Sequence, residues 1–276
     1  MTLNKFDMGE KLVVITGGSG LLGAEHAEAI AEIGGIPVIL DIDEAKSLSL
    51  ESTLNKKLKI NAKSFAVDVT NEAGLIDVLR QIRSIYGKAP YGLINNATID
   101  PKFDNSIGKT PKSRLEVFPL EQWNKEIGVG LTGAFLCSKV FGAEMAKEGR
   151  GVILNIASDL GIIAPDQRLY RKVGLSDDLQ NVKPITYSAI KHGLIGMTKY
   201  LATYWADKGI RCNAFAPGGV YNNHSDEFVQ KISNLIPMGR MAKKGEYRSA
   251  IQFLISDASS YMTGNVLVMD GGRSCW

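Results

Sequence analysis

The sequence is poor in the residues that most directly announce a function. It has three cysteines, Cys137, Cys212 and Cys275, odd in number, widely spaced and without a C-x-x-C pair. That excludes a disulfide framework or a thiolate zinc site as the organising feature, and a reducing cytosol suits such a chain. Its three histidines, His26, His192 and His224, lie far apart, so no metal centre is expected. Charge of one sign is also missing. The formal net charge is +3, with the basic side chains scattered among the acidic ones, which gives no support for nucleic-acid binding. The first ten residues are polar and carry no apolar signal core, and no run approaches the ~20 apolar residues that span a bilayer. A soluble, cytoplasmic protein with no membrane partner is the expectation. Internal repeats and low-complexity tracts are absent.

What remains is 276 residues, 45% of them hydrophobic, enough for one large core and here read as one domain over residues 1–276. Lys11 to Thr16 is a short continuous apolar run, the mark of a strand covered on both faces, and it feeds directly into Gly17-Gly18-Ser19-Gly20-Leu21-Leu22-Gly23. A helical pattern follows from Leu21 to Ile33. Strand, glycine-rich turn and helix form the context of a dinucleotide site, since glycines let the backbone approach a pyrophosphate whose charge sits at the helix N-terminus. A second apolar strand, Ile36 to Leu40, ends at Asp41, eighteen residues after Gly23. A carboxylate there accepts hydrogen bonds from ribose hydroxyls and repels a 2′-phosphate, which favours NAD over NADP. Asp41 could instead cap the helix that begins near Glu44.

Further strands are expected over Ser64–Val69, Tyr91–Ile94, Gly151–Ala157, Ile210–Ala216 and Gly264–Gly272, with helices over 44–58, 71–86, 120–148, 185–208 and 246–255. Leu75, Val78, Leu79 and Ile82 share one helix face and read as core. The alternation predicts an α/β fold: a single-domain, Rossmann-like, doubly wound parallel sheet of about seven strands with helices on both faces. Near the start of the 185–208 helix, Tyr187 and Lys191 stand four residues apart and share a face. A phenol, with an unperturbed pKa of about 10, is too weak an acid for proton transfer at neutral pH. An ammonium one turn away stabilises its phenolate.

Taken together, Thr16–Gly23, Asn95-Asn96-Ala97, Asn155-Ile156-Ala157-Ser158, Tyr187-Ser188-Ala189-Ile190-Lys191 and Pro217-Gly218-Gly219 resemble the short-chain dehydrogenase/reductase family over nearly the whole chain. The resemblance implies catalysis by Ser158, Tyr187 and Lys191. It implies a cofactor, NAD(H) before NADP, held by Gly17, Ser19, Gly20, Leu21, Leu22, Asp41, Ile42, Asp68, Val69, Asn96, Ala97, Tyr187, Lys191, Pro217, Gly218 and Val220. It also implies a homodimer or homotetramer built on the two long helices.

Several departures from the family pattern stand out. The glycine spacing, with Gly17, Gly20 and Gly23, looks like the extended branch that includes nucleotide-sugar epimerases and dehydratases, whereas the ending at Gly264–Gly272 looks like the compact branch. Thr98 replaces a glycine, and Gly130 replaces an asparagine of the family's proton relay, where a backbone carbonyl could still hold a water beside Lys191. Tyr187 follows Ser158 by twenty-nine positions, so a loop has grown there by about sixteen residues. Substrate loops are therefore expected near 99–119, with Lys102, Lys109, Lys112 and Arg114, and near 162–185, with a lid near 221–240. Arg168, Arg171, Lys172 and His224 are candidate substrate contacts, the cations suiting a phosphate or carboxylate arm if they are not simply a solvated loop or a subunit contact.

With the Tyr187–Ala202 run, these features resemble oxidoreductases of flagellin and surface-glycan modification. The expected reaction interconverts a secondary alcohol and a ketone on a small sugar-like molecule. A nucleotide-sugar epimerase or dehydratase, and a non-catalytic NADH-binding sensor, are the alternatives.

Overall fold

The computed structural model describes residues 4–99 and 110–276. Seven parallel strands form one sheet: β1 (Leu12–Thr16), β2 (Ile36–Asp41), β3 (Lys63–Ala66), β4 (Gly92–Asn95), β5 (Gly151–Ile156), β6 (Ile210–Pro217) and β7 (Val266–Met269). Their order is β3-β2-β1-β4-β5-β6-β7, so the chain reverses its direction of growth between β1 and β4. Successive side chains of a strand point to opposite faces. Leu12 and Val14 of β1 enter one core, with Leu75, Val78 and Ile82, while Val13 and Ile15 enter the other. Both faces are buried, and that is why β1 reads as an unbroken apolar run.

The first core is covered by α3 (Glu72–Tyr86), α4 (Leu120–Lys147) and α5 (Ile185–Tyr204). The second is covered by α1 (Leu21–Glu32), α2 (Glu44–Leu58) and α7 (Arg248–Ile255). A shorter helix, α6 (Asp226–Ser233), lies in the region expected to be a lid. One side chain ties α7 to α1: Arg248 meets Glu25 and Glu32, each at 2.7 Å, and also Glu28, three carboxylates along one face of α1.

Four expectations need correction. β3 stops at Ala66, not Val69, because its neighbour β2 ends at Asp41; the last registered pair is Asp41 with Ala66. Asp68 and Val69 therefore lie in the turn beyond the strand. α5 ends at Tyr204, where the chain tightens into a separate short turn over Ala206–Lys208. α4 is one rod of 28 residues but not a uniform α-helix; its turns widen over Gly128–Thr132 and again over Ser138–Gly142. This rod also meets the length and apolarity of a membrane span, contrary to the expectation that no segment would. Half of its most apolar stretch is buried inside the protein, so its apolar character is used by the core. Within the expected 99–119 loop, Lys102 and Lys109 lie outside the described residues. Arg114 donates to the Asp177 carbonyl at 2.6 Å, linking that loop to the 162–185 insertion.

Candidate active site

Because every strand runs the same way, the residues that follow β1 to β6 gather at one edge of the sheet. They do so around the β1/β4 boundary, where crevices form in open parallel sheets. The glycine loop after β1 is held against the loop after β4. Thr16 Oγ1 accepts from the Asn96 and Ala97 amides, each at 3.0 Å, and the Asn96 side chain donates back to the Thr16 and Gly17 carbonyls, also at 3.0 Å. Gly17 has φ +59°, and a Cβ on it would lie 2.9 Å from Ala97 Cα, so only glycine fits this crossing.

Gly20 is the N-cap of helix α1, and no side chain of the described residues caps it. Its first-turn amides are therefore directed at the crevice, the donor arrangement that suits a pyrophosphate. Leu21 is exposed, and Leu22 is partly buried against the second core. At the end of β2, the Asp41 carboxylate accepts from Ser19 N at 3.0 Å and Asp43 N at 3.1 Å, which aims it at the glycine loop. The capping role belongs to a different residue, Asp43, which accepts from Lys46 N at 3.1 Å. Ile42 is 77% exposed beside Asp41, a large apolar side chain with no role in the core. Asp68 is fixed by Thr70, whose amide and hydroxyl each donate to it at 2.8 Å, and Val69 packs below. An uncapped helix, a carboxylate beside the phosphate loop and an exposed apolar platform fit an adenine dinucleotide.

Ser158, Tyr187 and Lys191 lie on the turn after β5 and on α5, which pack against each other. Lys191 is 3% exposed, and its ammonium donates to the Ile156 carbonyl at 2.8 Å. A buried ammonium needs such an acceptor. Two residues beyond Ile156 stands Ser158. The turn after it, Asp159–Gly161, presses on α5 so closely that a Cβ on Gly161 would sit 2.9 Å from the Lys191 carbonyl oxygen. Tyr187 is half-buried one turn earlier on α5, with Lys191 Nζ 5.6 Å from its ring centroid. Pro217 ends β6, and a Cβ on Gly218 would meet Asp270 Cα at 2.9 Å; Val220 then pairs with Ala242.

Gly130 lies in the first widened segment of α4. A Cβ there would approach Ile190 Cγ2 to 2.8 Å and Cδ1 to 2.9 Å, so the place the family gives to an asparagine is filled by Ile190, the neighbour of Lys191. The Thr98 hydroxyl is buried without a hydrogen-bond partner among the described residues. His26, in α1, is fully enclosed, and burial pushes its imidazole down to about 4, so it is neutral and structural.

The cations of the insertion do not converge. Arg168 grips Asp166 two residues away and its side chain is 81% exposed; Arg171 pairs with Asp177. Lys172 is exposed, its amide bonded to the Gln180 side chain at 2.8 Å. The insertion turns polar Gln180 and Asn181 inward as well as apolar Leu169. Leu169 packs with Ile232 of α6, Ile236 and Met241, and the Tyr170 ring centroid lies 6.1 Å from that of Phe228. His224 stacks on Phe228, with ring centroids 5.3 Å apart.

Two features at the site went unnoticed in the sequence. The Ser158 hydroxyl donates to Asp159 Oδ1 at 2.7 Å, and the other oxygen of Asp159 is held by Arg273 at 2.7 Å. This ion pair is almost fully buried and lines a cavity with Gly218, Arg240, Tyr247 and Asp270. The second is Lys183, whose ammonium stands 4.0 Å from the centroid of the Tyr187 ring. The run of three residues around Asp159 gave no signal, since its partner lies 114 positions away.

Comparison with known proteins bears on the family and the fold. The family model described as enoyl-(acyl carrier protein) reductase matches residues 19–274. The chain is 30% identical to an NAD-dependent glycerol dehydrogenase of Listeria innocua, over 97% of this chain and 95% of that protein. It is 27% identical to a D-threitol dehydrogenase of Mycolicibacterium smegmatis, over 97% and 94% respectively. Among solved structures, a gluconate 5-dehydrogenase from Burkholderia cenocepacia in complex with NADP and tartrate superposes with a TM-score of 0.84 at 25% identity, covering 100% of both chains.

Proposed function

The chain belongs to the short-chain dehydrogenase/reductase family, an oxidoreductase acting on alcohols, and from that premise we propose that it interconverts a secondary alcohol and a ketone on a polyol or sugar derivative with NAD(H). The observation that carries this reading is the joint at Lys191. One buried ammonium is anchored on the Ile156 carbonyl at 2.8 Å, one turn from Tyr187 and beside the turn that carries Ser158.

When bound, the nicotinamide supplies the hydride acceptor in oxidation and the donor in reduction. Gly17, Ser19, Gly20, Leu21 and Leu22 would hold the pyrophosphate, Asp41 the adenosine ribose, and Ile42, Asp68 and Val69 the adenine. Asn96, Ala97, Tyr187 and Lys191 would hold the nicotinamide ribose, and Pro217, Gly218 and Val220 the carboxamide. In the oxidative direction Tyr187, as phenolate, takes the hydroxyl proton while the carbinol carbon gives up a hydride, leaving a ketone. Lys191 favours the phenolate by its charge. Ser158 fixes the reacting oxygen, which matters because effective transfer needs near-contact geometry. With its hydrogen on Asp159, the Ser158 hydroxyl offers an alcohol a lone pair; it donates to a ketone once that hydrogen turns away from Asp159.

The relatives named for glycerol, threitol and gluconate support a polyol or sugar-acid substrate. The narrower reading, an oxidoreductase of flagellin or surface-glycan assembly, is supported only by the resemblance of the Tyr187–Ala202 run and the insertion. NAD before NADP is supported by Asp41, whose carboxylate is held at the glycine loop. Gly130 and Thr98 favour a non-catalytic NADH-binding protein as a second reading, against which stands the trio in register.

The test is turnover of NADH and, separately, NADPH by the purified chain with a panel of ketoses, keto-acids and keto-sugar phosphates. NADH is expected to be preferred, and Tyr187→Phe to lower kcat by about 10²- to 10⁴-fold. A Tyr187→Phe chain that turns over normally sinks the mechanism, and tight NADH binding with no turnover on any member moves the weight to the sensor. Asp41→Asn is expected to shift the NADPH to NADH ratio of kcat/KM upward by about tenfold, the value of one lost charge contact near the ribose. An unchanged ratio would remove Asp41 from cofactor choice.

A further inference from the structure

We propose that Lys183, on the insertion, is a positioning residue for Tyr187: a second ammonium that stabilises the phenolate from the face of the ring. The inference rests on the catalytic reading of Tyr187 given above and deepens it. Lys183 Nζ lies 4.0 Å from the ring centroid, nearer than the 5.6 Å of Lys191. A cation over an aromatic face is drawn to its π-electron density. That density grows when the phenol ionises and its charge spreads into the ring, so the contact favours the ionised form over the neutral one.

The position of Lys183 is built rather than incidental. Its amide donates to Gln167 Oε1 at 2.8 Å, and its carbonyl accepts from Gln167 Nε2 at 3.3 Å, which clamps the end of the insertion to its beginning. Pro184 follows and fixes the entry into α5 as the residue before Ile185. The backbone of residue 183 is thereby held four positions before Tyr187, just outside the start of α5.

Among the described residues, the charged groups on the elements around Tyr187 can be named. On α5 itself there is Lys191, with His192 one residue further, its ring nitrogen at 3.0 Å from the Ser188 carbonyl. From the turn after β5 comes Asp159, whose charge is met by Arg273. From α4 comes Glu126, taken up by Thr186 and by Gln122 at 2.5 Å. Among the described residues the two carboxylates are engaged with other groups, and two ammonium groups lie 4.0 and 5.6 Å from the centroid of the Tyr187 ring. The sixteen-odd residues of extra loop therefore do more than widen a pocket mouth. They bring a cation to within 4.0 Å of the ring of the proton-transferring group.

The experiment is an ultraviolet pH titration of tyrosinate in the full-length chain, the signal of Tyr187 being isolated by subtracting the Tyr187→Phe curve. It is repeated in Lys183→Gln and Lys183→Arg backgrounds. The midpoint for Tyr187 is expected to rise by about one pH unit in Lys183→Gln, a tenfold change in proton affinity, and to return towards the wild-type value in Lys183→Arg. The pH profile of NADH-linked ketose reduction should move in the same direction with its plateau retained. A Lys183→Gln midpoint equal to that of the wild type overturns the inference even if Tyr187→Phe is inactive. A Tyr187→Phe chain with full turnover overturns the catalytic reading instead, whatever the titration shows.

Discussion

Arg273 and Asp159 are both closed off from solvent, with side chains 8% and 4% exposed and 2.7 Å between them. Such a pair is weak evidence for net stability, but removing one partner leaves an uncompensated buried charge. Arg273→Met is therefore expected to cost about 3–5 kcal/mol in urea denaturation, and the further change Asp159→Asn in the same chain to recover a large part of it. A single-variant loss below about 1 kcal/mol would mean that the tail lifts and lets water reach Asp159. Turnover should separate the two variants as well, because Asp159 also receives the Ser158 hydroxyl. At this scale the positions of Ser158 and Asp41 at strand ends, and of Tyr187 and Lys191 near a helix start, were legible in the sequence, since each sits at a fixed offset from such an end or start. Arg273 and Lys183 were not. Their partners are set by how a tail and an insertion fold back, which no local spacing records. The cations the sequence did single out, Arg168 and Arg171, are engaged by Asp166 and Asp177, acidic neighbours within the insertion.

Between elements, the contact that matters most to the site is α4 on α5. Gly130 faces Ile190, and Gly193 faces Leu131 at 3.0 Å from its would-be Cβ, so the two rods approach through glycines. From sequence, Gly130→Asn looks like the repair of a missing relay residue. The packing argues otherwise. An asparagine there must displace Ile190, and overpacking of this kind costs about 1–3 kcal/mol. Gly130→Asn is expected to be destabilised by that amount with no gain in turnover, and to cost less in an Ile190→Ala background when both are followed by urea denaturation. An equal cost in the two backgrounds would show that Ile190 is not the obstacle. Element boundaries were read well where the local chain decides them. Helix α2 runs over Glu44–Leu58 as its pattern suggests, behind the Asp43 cap. They were read poorly where a neighbour decides. β3 stops because β2 stops, and the widened turns of α4 carry no residue signature at all.

For the whole molecule, a single doubly wound domain was legible from the alternation of apolar runs and amphipathic segments. The expectation of a dimer or tetramer has support in side chains that the monomer leaves outside. Phe135 on α4, and Tyr200 and Tyr204 on α5, are each more than half exposed, and the two tyrosines stack with centroids 5.5 Å apart. Exposed apolar side chains grouped in this way are the kind of surface that contact faces use. Sedimentation of the purified chain is expected to give a dimer or tetramer, and Tyr200→Glu with Tyr204→Glu to shift it towards smaller species; a monomeric wild-type chain would remove the expectation. The strand order has a different kind of consequence, for biosynthesis. β1, β2 and β3 make one half of the sheet, and β4, β5, β6 and β7 are then laid in turn on the single edge of β1 left open. Each strand thus leaves the ribosome after the one it must pair with, so vectorial synthesis can assemble the sheet outward without waiting for a later strand. Refolding of the full-length chain from denaturant has no such ordering, and must select β4 for the edge of β1 from a chain in which every strand is present at once.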